Sequence, residues 1–245
     1  MSVPKNHPRY KSLMTREHLA EMVEKGLVNP TGLISHGRGE AFDYLMGEKS
    51  LPSSLEAEKA AAAYLLKAER PLVCVNGNAA ALDAKNLISL AEKIPAPLEV
   101  NIFHRTEERM EMLVEYMESQ GGKNVLGRNP DARIPGLNHD RALCTKTLYD
   151  CDAIIVPIED GDRAEALVAM GKVVISIDLN PISRTSKKAT VPISDELTRA
   201  LENIIRFVDE LRGKTAEIEK TISDYDKEKN RKATLRAMAE FMEGE

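Results

Sequence analysis

The sequence predicts an α/β fold, a doubly wound and mostly parallel sheet with helical extensions at both ends. Three observations predict it. Between residues 71 and 194, short apolar runs alternate with segments whose apolar residues recur at helical spacing. The runs are apolar at successive positions, as in Leu72-Val73-Cys74-Val75 and Val173-Val174-Ile175, the pattern of parallel strands buried on both faces. Residues 1–70 and 195–245 instead carry helical periodicity and helix-forming composition.

In order, Thr15 is placed to cap a first helix through Leu19, Met22 and Val23, ending near Gly26. Leu33 and Ile34 lead into a glycine loop, and a second helix begins near Gly39 with Phe42, Leu45 and Met46 on one face. Pro52-Ser53-Ser54 breaks the pattern before a strong helix over 55–68. Pro71–Val75 is the first strand; Asn76-Gly77-Asn78 turns it into a helix through Leu82, Leu87 and Leu90. Residues 98–103 form a second strand, followed by a helix through Met110, Leu113 and Met117. Strands over 153–157 and 173–177 flank a helix from Gly161 to Met170. Beyond Asp195, Leu197, Leu201, Ile204, Ile205 and Val208 form a buried helix face. After Gly213 charge predominates, suggesting a helix on a partner subunit or a solvated tail. The expected organisation is a helical region over 1–70 belonging to the same domain, an α/β core over 71–194, and C-terminal helices over 195–245.

Composition narrows the function. A chain of 245 residues can bury a sizeable core. Trp is absent and the net charge is −5, which argues against a nucleic-acid partner. Cys74, Cys144 and Cys151 lack paired spacing and read as free thiols. No apolar run reaches the roughly 18 residues a membrane span needs, and the N-terminus has no hydrophobic signal core, so a soluble cytoplasmic protein is expected.

In doubly wound sheets, ligands sit beyond the carboxyl ends of the strands. That rule selects Asn76 to Asn78, His104 and Arg105, Glu159 to Asp162, and Asp178 to Thr185. The turn at Asn76-Gly77-Asn78 admits two readings, a plain strand-to-helix turn or an anion site at a helix N-terminus. It lacks the G-x-G-x-x-G fingerprint, which argues against dinucleotide binding. His36-Gly37-Arg38-Gly39 reads as a surface loop or as a phosphate cradle where amides and a guanidinium meet together. Asp178-Leu179-Asn180-Pro181 leaves a strand end, and Ser183-Arg184-Thr185 adds an arginine between hydroxyls. Arg105 suits either a substrate phosphate or carboxylate, or a helical pair with Glu108. Arg38 and Arg184 together suggest a split site for a polyanion such as a nucleoside triphosphate.

Four blocks carry a wider resemblance: residues 7–13 (HPRYKSL), 32–45 (GLISHGRGEAFDYL), 99–109 (EVNIFHRTEER) and 178–185 (DLNPISRT). Through them the chain resembles the archaeal phosphopantothenate synthetases (4-phosphopantoate–β-alanine ligases) over nearly its whole length, apart from the charged tail. The resemblance implies a Rossmann-like homodimer that joins 4-phosphopantoate to β-alanine with ATP through an acyl adenylate, in coenzyme A biosynthesis. It implies nucleotide contacts at Arg16, Arg38, Asp178, Leu179, Asn180, Arg184, Thr185, Glu196 and Leu197. Magnesium would bridge the phosphates, with no metal ligands identified, and Arg38 and Arg184 would stabilise the developing charge. Asn76, Asn78 and Arg105 are the candidates for phosphopantoate. For the base, His104, His139 and Glu40 stand as candidates. The rival reading is a non-catalytic module sensing a nucleotide or phosphometabolite. Use of unphosphorylated pantoate is disfavoured, because the chain lacks the His-x-Gly-His motif of bacterial pantothenate synthetases.

Overall fold

Proline at two helix starts and one side-chain cap set the N-terminal architecture. The computed structural model describes residues 3–244. Helix α1 (Tyr10–Glu24) is followed by α2 (Pro30–Leu45) and α3 (Pro52–Lys67). Pro30 and Pro52 occupy first-turn positions, where a fixed φ helps and the missing N–H is not needed. Asn29 caps α2 by accepting the Thr31 N–H.

The sheet follows. Strand β1 (Pro71–Val75) leads into α4 (Gly77–Lys93), β2 (Leu98–Val100) and α5 (Glu107–Ser119). A small antiparallel pair, β3 (Ala132–Arg133) and β4 (Leu143–Cys144), precedes α6 (Lys146–Asp150). The chain continues through β5 (Ala153–Pro157), α7 (Gly161–Ala169), β6 (Val173–Ile177), α8 (Arg184–Lys188) and β7 (Val191–Ile193). Helices α9 (Leu197–Leu211), α10 (Thr215–Asp224) and α11 (Lys227–Gly244) complete it.

Among the described residues, the main sheet is parallel throughout, in the order β2-β1-β5-β6-β7. This is a Rossmann-like, doubly wound arrangement, and the strand order reverses between β1 and β5. Alternation along each strand divides the core between two faces. Val73, Val75, Ile155, Ile175 and Ile177 pack into one apolar cluster, beneath α3, α4 and α9. Leu72, Cys74, Ile154, Val156 and Val174 pack into the other, with Ala164 and Leu167 of α7. Cys74, Cys144 and Cys151 are buried free thiols. No helix among the described residues is long and apolar enough to cross a membrane.

Several sequence expectations give way. Helix α1 begins at Tyr10, a turn before Thr15, and the Thr15 hydroxyl donates to the Lys11 carbonyl inside the helix. The segment Ser35–Glu40 is not a loop; it lies within α2. Each helical glycine costs roughly 1 kcal/mol relative to alanine. Gly32 permits close approach instead: a Cβ there would meet Asn78 Oδ1 at 2.2 Å, whereas one on Gly39 would make only an ordinary contact with Leu179 Cδ1 at 3.5 Å. Strand β2 is shorter than 98–103, because Asn101 turns its amide to the Leu143 carbonyl (2.8 Å) as the chain leaves the sheet. The helix expected over 55–68 starts at Pro52, and β7 and the β3–β4 pair are additions, too short to show a period in sequence. The charged tail folds back on its own chain: Asn230 Nδ2 donates to the Ser53 carbonyl (2.9 Å), and Thr234 bonds the Ser53 hydroxyl (2.8 Å). Met238 joins Met46 and Leu51 in a small apolar cluster.

A paired substitution tests the helical placement of the glycine segment. A Cβ on Gly37 meets nothing within 4 Å, whereas one on Gly77 would lie 2.5 Å from the Leu27 carbonyl oxygen. Gly37→Ala is expected to raise stability by about 0.5–1 kcal/mol in urea denaturation. Gly77→Ala is expected to lower it by about 1–3 kcal/mol.

Candidate functional site

The carboxyl ends of β1 and β5 are tied by a single amide. Asn76 caps α4 by accepting the Ala79 N–H (3.0 Å), and its Nδ2 donates to the carbonyls of Pro157 (2.8 Å) and Ile158 (3.2 Å). Asn78 Nδ2 donates to the Gly32 carbonyl (2.9 Å), which fastens α2 beside α4. The chain leaving β5 bends sharply, for Ile158 has φ 49°, a conformation a β-branched residue adopts rarely. His104, past the end of β2, has φ 51°. Arg109 holds that second bend by donating to the carbonyls of Phe103 (2.7 Å) and His104 (2.8 Å).

These strand ends and α2 enclose a cavity of about 550 Å³. Its wall includes Asn76, Gly77 and Asn78, His104 and Arg109, Glu159 to Gly161, and Asp178 with Asn180. Helices α4 and α7 open onto it through Gly77 and Gly161, presenting the positive ends of their dipoles. Arg38 comes from α2, Arg141 from the 3-10 turn Asp140–Ala142 before β4, and Arg184 and Thr185 from the start of α8. The volume suits a nucleotide or another ligand of similar size.

Behind the wall lies a buried charge cluster. The Glu159 carboxylate accepts from Arg141 Nη2 (2.6 Å) and from Arg163 Nη1, whose side chains are 3% and 0% exposed. Arg141 Nε also donates to Asn101 Oδ1 (2.9 Å), its guanidinium lies 5.0 Å from the centre of the Phe103 ring, and the His139 ring lies tilted 5.2 Å from the same ring. Burial draws the Arg141 guanidinium below the usual arginine range. Burial acts on Arg163 in the same sense, but the adjoining Glu159 charge reverses it and the net shift is upward. Both remain cations at neutral pH. Two guanidiniums against one carboxylate leave excess positive charge at the cavity floor. Asp178 is raised by burial, an effect that bonds from Ser183 and the Asn180 N–H and the charge of Arg38 oppose.

Of the residues singled out in the sequence, Arg38, Asn76, Asn78, Asp178, Asn180, Arg184 and Thr185 line this one cavity. Arg184 sits at its rim, 58% exposed, paired with Asp162 and with Glu165 (2.7 Å). Leu179 and Glu196 line a second cavity of about 230 Å³ together with His36, Glu40, Asp43 and Arg199. Arg16 stands beside it, bonded to Glu40 (2.8 Å) and the Tyr44 hydroxyl (3.0 Å). Leu197 is buried in the first turn of α9. Arg105 is not brought to either wall; it donates to the carbonyls of Gly127 (2.8 Å) and Arg128 (3.1 Å), and it does not pair with Glu108. Glu40 is a poor base. Burial raises its pKa, but bonds from Ser12 and Arg16 outweigh that and hold it low. His139 lies 3.9 Å from Asp160 rather than in open solvent, its ring nitrogens buried.

Arg109 closes the block 99–109 without a role of its own assigned there, and Arg141 and Arg163 lie in no motif. Arg163 stands four residues after Glu159, a pairing visible in sequence, whereas Arg141 reaches the site through a 3-10 turn, Asp140–Ala142, too short to show a period.

The chain matches the family model for phosphopantothenate/pantothenate synthetase over residues 53–241. It is 49% identical over 243 residues to a protein of Methanosarcina mazei named 4-phosphopantoate--beta-alanine ligase, a match covering 98% of this chain and 94% of that one. A protein of the same name from Methanospirillum hungatei is 52% identical over 225 residues, covering 89% and 92% of the two chains. Another from Thermococcus kodakarensis is 44% identical over 229 residues, covering 92% and 88%.

The buried cluster makes a stability prediction. Glu159→Gln leaves two buried cations facing a neutral group and is expected to cost about 3–5 kcal/mol in urea denaturation. Glu165→Gln, at the exposed rim, is expected to leave the midpoint unchanged.

Proposed function

The chain belongs to the phosphopantothenate/pantothenate synthetase family, and from that premise we propose that it is an ATP-dependent carbon–nitrogen ligase. It joins 4-phosphopantoate to β-alanine and releases 4'-phosphopantothenate, AMP and diphosphate, a step of coenzyme A biosynthesis. The observation that carries this reading is the single cavity that gathers Arg38, Arg109, Arg141 and Arg184 at the carboxyl edge of the sheet. Two phosphorylated substrates bring more negative charge than one arginine can offset, and this cavity offers several.

In the proposed arrangement the triphosphate lies along Arg38, Arg184 and Thr185, with Asp178 to Asn180 beside it. The nucleotide extends along the seam between the two cavities, toward Glu196 and Leu197 at the start of α9, with Arg16 at the outer edge. Phosphopantoate takes the inner end, where Asn76, Asn78, Arg109 and Arg141 stand. Arg105 supports that end from behind by holding the backbone at Gly127 and Arg128.

A carboxylate is a poor acyl donor. A phosphopantoate carboxylate oxygen attacks the α-phosphorus of ATP, the bond to the bridging oxygen breaks, and diphosphate leaves. Arg38 and Arg184 offset the charge that collects on the phosphates in that step. The β-alanine amine, once deprotonated, attacks the acyl carbon, and AMP departs with the electron pair of the acyl carbon–oxygen bond of the mixed anhydride. His104, on the cavity wall, is the candidate to take the amine proton, and holding both substrates beside the nucleotide supplies much of the acceleration.

Among the described residues, no group of three or more His, Cys, Asp or Glu is arranged to hold a metal. Magnesium demands less, since one or two carboxylates plus phosphate oxygens and water suffice. Asp160 and Asp178, both on the cavity wall, fit that donor set and would hold the ion. Its contribution is charge neutralisation on the phosphates. The proposed assembly is a homodimer, for which the exposed apolar side chains Leu33 and Ile34 of α2 offer surface.

Incubation with ATP, β-alanine and 4-phosphopantoate is expected to release AMP and diphosphate in step with 4'-phosphopantothenate, followed by chromatography. Release of ADP would instead establish an acyl-phosphate route, and binding without turnover would establish the sensor. Arg38→Ala is expected to lower kcat/KM for ATP by about ten- to a hundredfold, the loss of one charge-assisted bond of about 1.5–3 kcal/mol. Full activity in that variant would remove Arg38 from its role.

A further inference from the structure

Two acidic side chains outside both cavities meet in the interior. Glu58, on α3, has no solvent exposure, and neither of its carboxyl oxygens has a hydrogen-bond partner among the described residues. Asp195, just before α9, is 1% exposed. Its Oδ1 accepts from the Glu196 N–H (2.7 Å) and from Arg199 Nε (2.9 Å), while its Oδ2 is unpartnered among the described residues. Helices α3 and α9 pack together, and the Ser54 hydroxyl of α3 reaches the Ser194 carbonyl (2.6 Å), which brings the Glu58 and Asp195 carboxyls together.

Two carboxylate charges in contact without water are untenable. One proton resolves the difficulty and pairs the orphaned oxygens together, since a protonated Glu58 donates to Asp195 Oδ2. Asp195 is the natural anion because Arg199 stands against it (2.7 Å). Burial first, and then the Asp195 charge, raises Glu58 to about 9; Asn203 and Arg206 of α9 also face it and act in the opposite sense.

Asp195 is the hub of a wider linkage. Arg199 also binds Asp43 of α2, with Nη1 at 3.2 Å from Oδ2. The Ser54 hydroxyl of α3 donates to the Ser194 carbonyl (2.6 Å). Asp43, Glu196 and Arg199 all form the wall of the second cavity.

We propose that Glu58 and Asp195 share one proton and act as a positioning pair, holding the first turn of α9 and, through Arg199 and Asp43, helix α2 in the geometry that receives the nucleotide. The positioning role rests on the ligase reading; the shared proton does not. Loss of the proton places a second charge beside Asp195, which forces the α3–α9 contact apart and moves the cavity wall.

The experiment compares wild type, Glu58→Gln and Glu58→Leu. The carboxamide of Glu58→Gln keeps the donor to Asp195 and cannot ionise. Infrared spectra at neutral pH are expected to show a protonated-carboxyl carbonyl stretch in wild type that is absent from Glu58→Gln. Absence of that band in wild type overturns the shared proton. In calorimetry, wild type and Glu58→Gln are expected to bind ATP alike at neutral pH. Above pH 9 the wild-type Kd is expected to rise by about threefold or more while that of Glu58→Gln stays flat. Glu58→Leu, which removes the donor, is expected to weaken ATP at every pH. Parallel pH profiles in wild type and Glu58→Gln overturn the positioning role. Wild type that binds no ATP at any pH refutes the ligase reading and the positioning role with it, while the infrared band still decides the shared proton. Stability offers an independent arm. A raised folded-state pKa stabilises fully below the ordinary carboxyl range, and the contribution is lost as pH rises toward 9. The urea midpoint of wild type relative to Glu58→Gln is therefore expected to fall across that window, and a constant difference counts against the shared proton.

Discussion

The Glu159 carboxylate, held between two buried guanidiniums, is the interaction on which the site depends. It lies where the strand order reverses, directly after the strained Ile158. Its Oε1 accepts the Asp160 N–H (2.8 Å), and its backbone carbonyl accepts the Thr185 hydroxyl (2.7 Å). One residue thus fixes the start of α7, the start of α8 and the guanidinium of Arg141. A buried ion pair is not in itself a source of stability, because desolvation offsets most of the attraction. What it supplies here is position. Arg141 cannot turn toward solvent without leaving Glu159 unpaired, so a cation stays at the cavity floor whether or not an anion is bound.

Much of the fold was legible because parallel strands carry a strong local signature. Val73-Cys74-Val75 and Ile154-Ile155-Val156 fill opposite faces by simple alternation, so an unbroken apolar run has one sensible placement. The strand-end rule then located Asn76, Glu159 and Asp178 without knowledge of any partner. β7 escaped notice because three residues of an edge strand show no period, and the β3–β4 pair for the same reason.

The glycine-arginine segment shows a different limit. Local propensity favours a loop at His36-Gly37-Arg38-Gly39, but the helix is nucleated upstream, where Asn29 caps and Pro30 sets the first turn. Close packing of Gly32 on Asn78 then compensates for backbone entropy, a tertiary gain that no local window contains. The consequence reached the site almost unchanged, since Arg38 faces the same cavity from a helix that it would have faced from a loop. Arg105 and Arg109 went the other way. Both lie just beyond β2, but the bend at His104 sends Arg105 to the carbonyls of Gly127 and Arg128 and brings Arg109 to the wall. Arg105 precedes the cap of α5 at Thr106 while Arg109 lies in its first turn, and sequence spacing alone does not place that boundary.

The cavity therefore holds arginines of two kinds, and the difference is energetic. Arg141 is desolvated and bound to a buried carboxylate, so its position is settled during folding. Arg184 is more than half exposed, and its partners Asp162 and Glu165 are themselves exposed. Pairs of that sort are worth little, because water and salt compete for both ends. An anion entering the cavity can draw Arg184 away from them at small cost, while Gly161 leaves room for its stem, whose Cγ would lie 2.6 Å from any Cβ at that position. A rigid cation within and a movable one at the rim allow charge to be offset before and after the phosphates shift. Two arginines of equal rigidity would favour a single arrangement of the phosphates and resist the next.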